Sequence, residues 1–99
     1  MTDGQASISA DILARYAADA ANEVEGVCRL AGRRGVKIER SGAAEGDAVR
    51  VELRLVVDWG APLTQVGQHV QERVRDYLVH MAGIRPTVDV VVEAVGPLP

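Results

Sequence analysis

Ala48-Val49-Arg50-Val51-Glu52-Leu53-Arg54-Leu55-Val56-Val57-Asp58-Trp59 is the stretch that decides the fold. Val49, Val51, Leu53, Leu55 and Val57 recur at every second position, and Arg50, Glu52, Arg54 and Asp58 fill places between them. Side chains alternate across a strand, so the pattern describes a strand with one buried and one wet face. A sheet that is apolar on one face needs a covering layer, and the sequence on either side supplies two amphipathic helices to make it.

Downstream, Gly60-Ala61-Pro62 interrupts the strand, and Pro62 lies close to the start of a helix, where a missing N–H costs nothing. Leu63, Val66, Val70, Val74, Tyr77, Leu78 and Met81 form the apolar stripe of that helix, and Gly83 ends it. Pro86 opens a last strand, Thr87 to Val95, whose Val90-Val91-Val92 run implies at least partial burial on both faces. The helix is then a crossover, which lets the strands on either side of it run parallel.

Upstream, Ile12, Leu13, Tyr16, Ala17, Ala20, Ala21 and Val24 recur at spacings of three and four, so a helix is expected from Ala10 to about Glu25. Ser9 is its N-cap and Gly26 its C-terminal stop. Gln5 to Ser9 reads as a short edge strand leading into it. Val27 to Ala31 and Val36 to Arg40 read as two strands of a hairpin closed by Gly32-Arg33-Arg34-Gly35, and Ser41 to Gly46 as a small-residue turn. The predicted order is β-α-β-β-β-α-β. It implies an α+β two-layer sandwich with one mostly antiparallel sheet and both helices on one face. At 99 residues the chain fits a single domain, 1–99, with residues 1–4 and 97–99 as flexible tails.

Composition narrows the function classes. Hydrophobic residues make up 47% and charged residues 25%, too apolar for a disordered chain. Tyr16, Trp59 and Tyr77 are the only aromatics, so base stacking has few platforms. Cys28 is the single cysteine, and no charged segment followed by an apolar one opens the sequence, so a reducing cytosol is the expected location. No apolar run approaches the roughly 18 residues needed to cross a bilayer, so any membrane contact is expected to be peripheral.

No catalytic, metal or cofactor chemistry is expected. His69 and His80 lie eleven residues apart on one helix, roughly 16 Å along its axis, too far to share a metal ion. Cys28 stands alone in a strand and reads as a small buried hydrophobe. Asp19 and Glu23 sit four apart on the first helix, with Arg15 offsetting Asp19 from the preceding turn, and read as a solvated face.

Charge is the more informative feature. The net charge is −3, yet residues 1–25 carry one Arg against five acids, whereas 26–40 carry Arg29, Arg33, Arg34, Lys37 and Arg40 against Glu39 alone. The basic block is either a solvated hairpin or a docking surface for an acidic protein segment, an anionic lipid surface, or the acidic block of a neighbouring copy. Gly32-Arg33-Arg34-Gly35 also matches the GXXG by which a KH module clamps a nucleic-acid backbone, which makes a small RNA-binding module the alternative function. That loop joins two helices, however, whereas both flanks here read as strands, which argues against nucleic acid. Trp59 either covers the end of the core or stands out as an anchor for a partner.

Ile8-Ser9, Ala17-Ala18-Asp19-Ala20, Val24-Glu25-Gly26-Val27, Gly35-Val36-Lys37, Val51-Glu52-Leu53, Trp59-Gly60, Val66-Gly67 and Val70-Gln71, followed by the Val-rich last strand, together resemble the alkaline shock protein family in order and spacing. The resemblance spans almost the whole chain. It implies a non-enzymatic cytosolic protein of bacteria, linked to cell-envelope stress, without a cofactor. Family members tend to self-associate and are often held at the inner membrane face by a separate membrane protein, so a homo-oligomer and a membrane-anchored partner are expected. Where the family commonly has Ile-Pro-Glu-Val at the start of the second helix, this chain reads Pro62-Leu63-Thr64-Gln65-Val66, with the proline one position early and the acid lost.

Overall fold

The computed structural model describes residues 8–32, 35–41 and 48–97. Its elements are α1 (Ala10–Asn22), β1 (Val27–Leu30), β2 (Val36–Ser41), β3 (Ala48–Val57), α2 (Leu63–Ala82) and β4 (Thr87–Val95). The architecture is the expected α+β one, a single sheet with both helices on one face. The first predicted strand falls for residues 5–7 outside the described residues, and Ile8 and Ser9 are not in a strand.

β3 organises the sheet because its two edges take different partners. β1 and β2 pair with it antiparallel on one side, and β4 pairs with it parallel on the other, as the crossover through α2 demands. The expected hairpin of residues 27–40 is therefore corrected. β1 lies opposite Leu55–Val57 and β2 opposite Ala48–Leu53, so the two run end to end along one edge and do not pair with each other. The chain leaves the edge at Ala31 and rejoins it at Gly35. The backbone of Arg54 receives both ends, accepting from the Ala31 N–H at 2.8 Å and donating to the Gly35 carbonyl at 2.7 Å. Ten residues of β3 are long enough to satisfy the four of β1 and the six of β2, which leaves no reason for them to fold back on each other.

The inward assignment of β3 holds at each of its five positions, and Val56 on the other face is buried as well. Val49, Val51, Leu53, Leu55 and Val57 are buried, and Leu13, Ala17, Ala20, Ala21 and Val24 from α1 and its C-terminal turn, with Val66, Val70, Val74 and Leu78 from α2, cover them. Tyr16 and Tyr77 meet edge to face where the helices touch, their ring centroids 5.8 Å apart. Three apolar positions of the expected stripes, Ile12, Leu63 and Met81, are instead largely exposed. Val90 and Val92 are half-buried under α2, but Val91 lies on the uncovered face and is exposed, so β4 is not buried on both faces.

The helix caps follow the sequence. Ser9 is extended, and its Oγ accepts from the Ile12 N–H at 3.2 Å. α1 ends at Asn22, three residues before the expected end at Glu25, and the chain turns through Glu23–Gly26 into β1. Gly83, with φ of 70°, closes α2 by donating to the Val79 carbonyl. Replacing Ser9 with Ala is expected to lower stability by about 1 kcal/mol, and Ser9→Asp to leave it nearly unchanged, in urea unfolding.

Candidate interaction surfaces

Among the described residues, the basic side chains of 29–40 do not form one patch, because successive strand residues point to opposite faces. Arg29 stands opposite Val56 and Lys37 opposite Glu52, both on the uncovered face of the sheet. They are separated by four β3 positions, about 13 Å. Arg40 stands opposite Val49 on the helix side, and its guanidinium donates to the Ile8 carbonyl ahead of α1. Arg33 and Arg34 lie outside the described residues; their flanks are strands, as expected, not the two helices of a KH loop.

The described charges of the uncovered sheet face balance, and most of them are paired. They are Arg29, Lys37, Arg50 and Arg54 against Glu39, Glu52, Asp89 and Glu93. Lys37 meets Glu39 at 3.3 Å, Arg50 meets Asp89 at 2.9 Å, and Arg54 reaches Glu93 at 3.0 Å and Glu52 at 3.3 Å. The hydrogen bonds that Arg54 donates to Glu93 and then to Glu52 hold its guanidinium above its ordinary pKa. All these pairs are exposed, so each adds little to stability, and of the described basic residues of 26–40 only Lys37 takes part in them.

Acidic residues, by contrast, are gathered by the fold. Glu23 and Glu25 from the end of α1 converge with Glu72 and Asp76 of α2 around a shallow cavity, where Arg73 donates to Glu23 at 2.8 Å. A second cavity of about 410 Å³ adjoins it, sharing Glu25 and His69 and lined also by Asp58, Trp59, Pro62 and Gln65. Sequence reasoning misses Glu72 and Asp76. They repeat on α2 the four-residue spacing of Asp19 and Glu23 on α1, but only the packing of α2 against α1 brings one acidic face beside the other.

Trp59 is the most exposed large apolar side chain of the described residues, at 55%. Its exposure follows from the turn. The Ala61 N–H donates to the Asp58 carbonyl at 3.0 Å, closing a β-turn, and Gly60 occupies its third position with φ of 89°. A type II turn requires that sign there, and it leaves Trp59 at the outer corner. The strand has already ended at Val57, where the Val57 carbonyl accepts from the Gly96 N–H and the Asp58 N–H donates to the Gly26 carbonyl. The reading in which the ring covers the core is thus corrected.

Cys28 is also exposed, not buried. The register slips between Val27 and Arg29, so Cys28 is the extra residue of a β-bulge and turns away from the core. His69 and His80 are solvated on α2 as expected. Among the described residues no three His, Cys, Asp or Glu side chains come together as a metal site, and no helix is long and apolar enough to cross a membrane.

Comparison with solved structures places this fold beside MamM CTD. The MamM-CTD 215–293 structure has a TM-score of 0.53 and 20% identity, covering 87% of this chain and 99% of that one. A manganese form gives 0.52 and 19%, covering 87% and 99%, and a zinc form gives 0.51 and 22%, covering 85% and 84%. At such identities the likeness is one of fold alone. No curated protein matches the sequence. The family model that matches residues 1–97 carries the description cell envelope-related function, and it agrees with the run of segments from Ile8 to the last strand: the chain belongs to the alkaline shock protein family.

Proposed function

We propose that this protein is a non-enzymatic scaffold of the cell envelope that docks to its own copies and to a membrane-anchored protein from the cytoplasmic side. The observation that carries this reading is the exposed Trp59 lining the cavity that adjoins the acidic one. A half-exposed indole in water is costly to leave uncovered, and Trp is over-represented among residues whose truncation costs a complex about 2 kcal/mol or more. Glu25 and Asp58 beside it favour a partner segment that brings Lys or Arg against the ring and the carboxylates together. Lys37 and Arg40 stand opposite Glu52 and Val49, along β3 from this corner, so Arg29, Arg33, Arg34, Lys37 and Arg40 are assigned only a secondary part, in steering the encounter. Membership of a family with a cell envelope-related function supports the location.

The test is affinity purification of the tagged chain from its own cells, with light scattering of the pure protein alongside. A membrane-embedded protein is expected in the eluate of the wild type and absent, or at least tenfold depleted, with Trp59→Ala. That variant should unfold within about 0.5 kcal/mol of the wild type, since the side chain covers little of the core. Recovery of neither a membrane protein nor further copies, together with a monomer at all concentrations, would refute the scaffold reading.

A further inference from the structure

β4 is a nine-residue strand whose inner edge pairs with β3 and whose outer edge meets no other strand among the described residues. Nine residues span about 30 Å, long for a strand left open. Open edges normally carry Lys, Pro or a bulge that blocks further pairing. Thr87 to Glu93 carries neither Lys nor Pro, and its bulge comes only beyond Val92. The Gln71 amide donates to the Val88 carbonyl at 3.1 Å, leaving that oxygen one lone pair for a further donor, and two acids, Asp89 and Glu93, are drawn back towards β3 by Arg50 and Arg54, at 2.9 and 3.0 Å. What remains on the edge is apolar: Val91 is 42% exposed, and Val90 and Val92 line a shallow groove with Leu63, Thr64, Gly67 and Gln71 of α2.

We infer that the occupant of this edge is β4 of a second copy, paired antiparallel about a two-fold axis through Val90. The inference rests on the scaffold reading above and names the surface by which copies meet. Charge selects the register. With Val90 on the axis, Val90 faces its own counterpart and Val88 faces Val92 of the second copy, all on the helix-covered side. On the other side Asp89 faces Val91 and Thr87 faces Glu93, so no two like charges are opposed. Moving the axis to Val91 would set Asp89 directly against Glu93, in line with Glu52 of the neighbouring strand. A two-fold perpendicular to the sheet keeps both pairs of helices on the same side. The two α2 helices then flank the axis, and Leu63, 44% exposed in one copy, gains cover.

Two cysteine variants in a Cys28→Ser background test the register in the full chain. Val90→Cys is expected to form a disulfide-linked dimer on mild oxidation. Val91→Cys should not, because its counterpart lies diagonally across the pair, beyond the reach of a disulfide. Charge gives a second reading that needs no oxidation. Val91→Glu, which would face Asp89 of the second copy at two related sites, should weaken dimerisation about tenfold in light scattering, and Val91→Lys should not weaken it. Both changes are at an exposed position and leave the fold intact by circular dichroism. A dimer that ignores both charges, or that links through Val91→Cys and not Val90→Cys, overturns the edge pairing while leaving a self-associating scaffold. A monomer that still recovers a membrane protein also overturns the pairing and leaves docking to that protein standing.

Discussion

Truncation of Leu53 to alanine is expected to cost about 3–4 kcal/mol, the largest loss for a single side chain in this protein. Leu53 is fully buried at the middle of β3, where Val36 flanks it on one edge and Val90 on the other. Removing its branched end forfeits transfer free energy and leaves a cavity that its hydrogen-bonded neighbours cannot collapse to fill. A domain of this size has about 5–15 kcal/mol in total, so the variant should melt roughly 15–20 °C lower and unfold at markedly lower urea. Glu39→Ala, on the wet face away from the core, should stay within about 0.5 kcal/mol. The contrast checks more than packing. Strand periodicity is two, so a register slipped by one residue would expose Leu53 and bury its charged neighbours, and the two variants would then look alike.

Gly26→Ala is expected to cost about 2–4 kcal/mol, for two separable reasons. Its φ of 98° lies where side chains are strained, and a Cβ at that site would sit 2.7 Å from Cγ2 of Val66. The turn must pass this close because the Gly26 carbonyl accepts from the Asp58 N–H, joining the exit of α1 to the end of β3 beneath the start of α2. A double-mutant cycle separates the terms. Val66→Ala alone should destabilise by about 2 kcal/mol, since Val66 is almost fully buried. Combined with Gly26→Ala it should cost about 1 kcal/mol less than the sum, because the clash is gone and only the backbone strain remains. Additive losses would mean that the turn relaxes away from Val66 on its own, and no loss from Gly26→Ala would refute the turn geometry.

The same corner explains why the candidate surface is only partly legible in the sequence. Trp59 is identifiable as a candidate because a lone tryptophan at the end of a strand has few roles. Its exposure depends on a turn whose third residue has positive φ, and Gly60 permits that conformation without requiring it. The basic block is visible as composition but not as a surface. Its residues read as a hairpin, whereas the described ones are split between two faces of one broken edge, with Lys37 opposite Glu52 and Arg40 opposite Val49. The acidic gathering around His69 is not visible at all, since Glu23 and Glu72 are far apart in the chain and meet only through helix packing.

What the sequence determined by itself was everything set by short-range periodicity and by residues with restricted backbones. The buried face of β3, the apolar stripes of both helices, the Ser9 and Gly83 caps and the limits of β4 all follow from side chains within about four positions of one another. Only the tertiary structure decided which edges pair. Two strands joined by a short loop can close on each other or lie in line against a third, and local preference does not distinguish them. The ten residues of β3, each with backbone groups to satisfy under the cover of α1, do. That choice places Lys37 among acids, turns Cys28 outward, and leaves β4 as the open edge of the sheet.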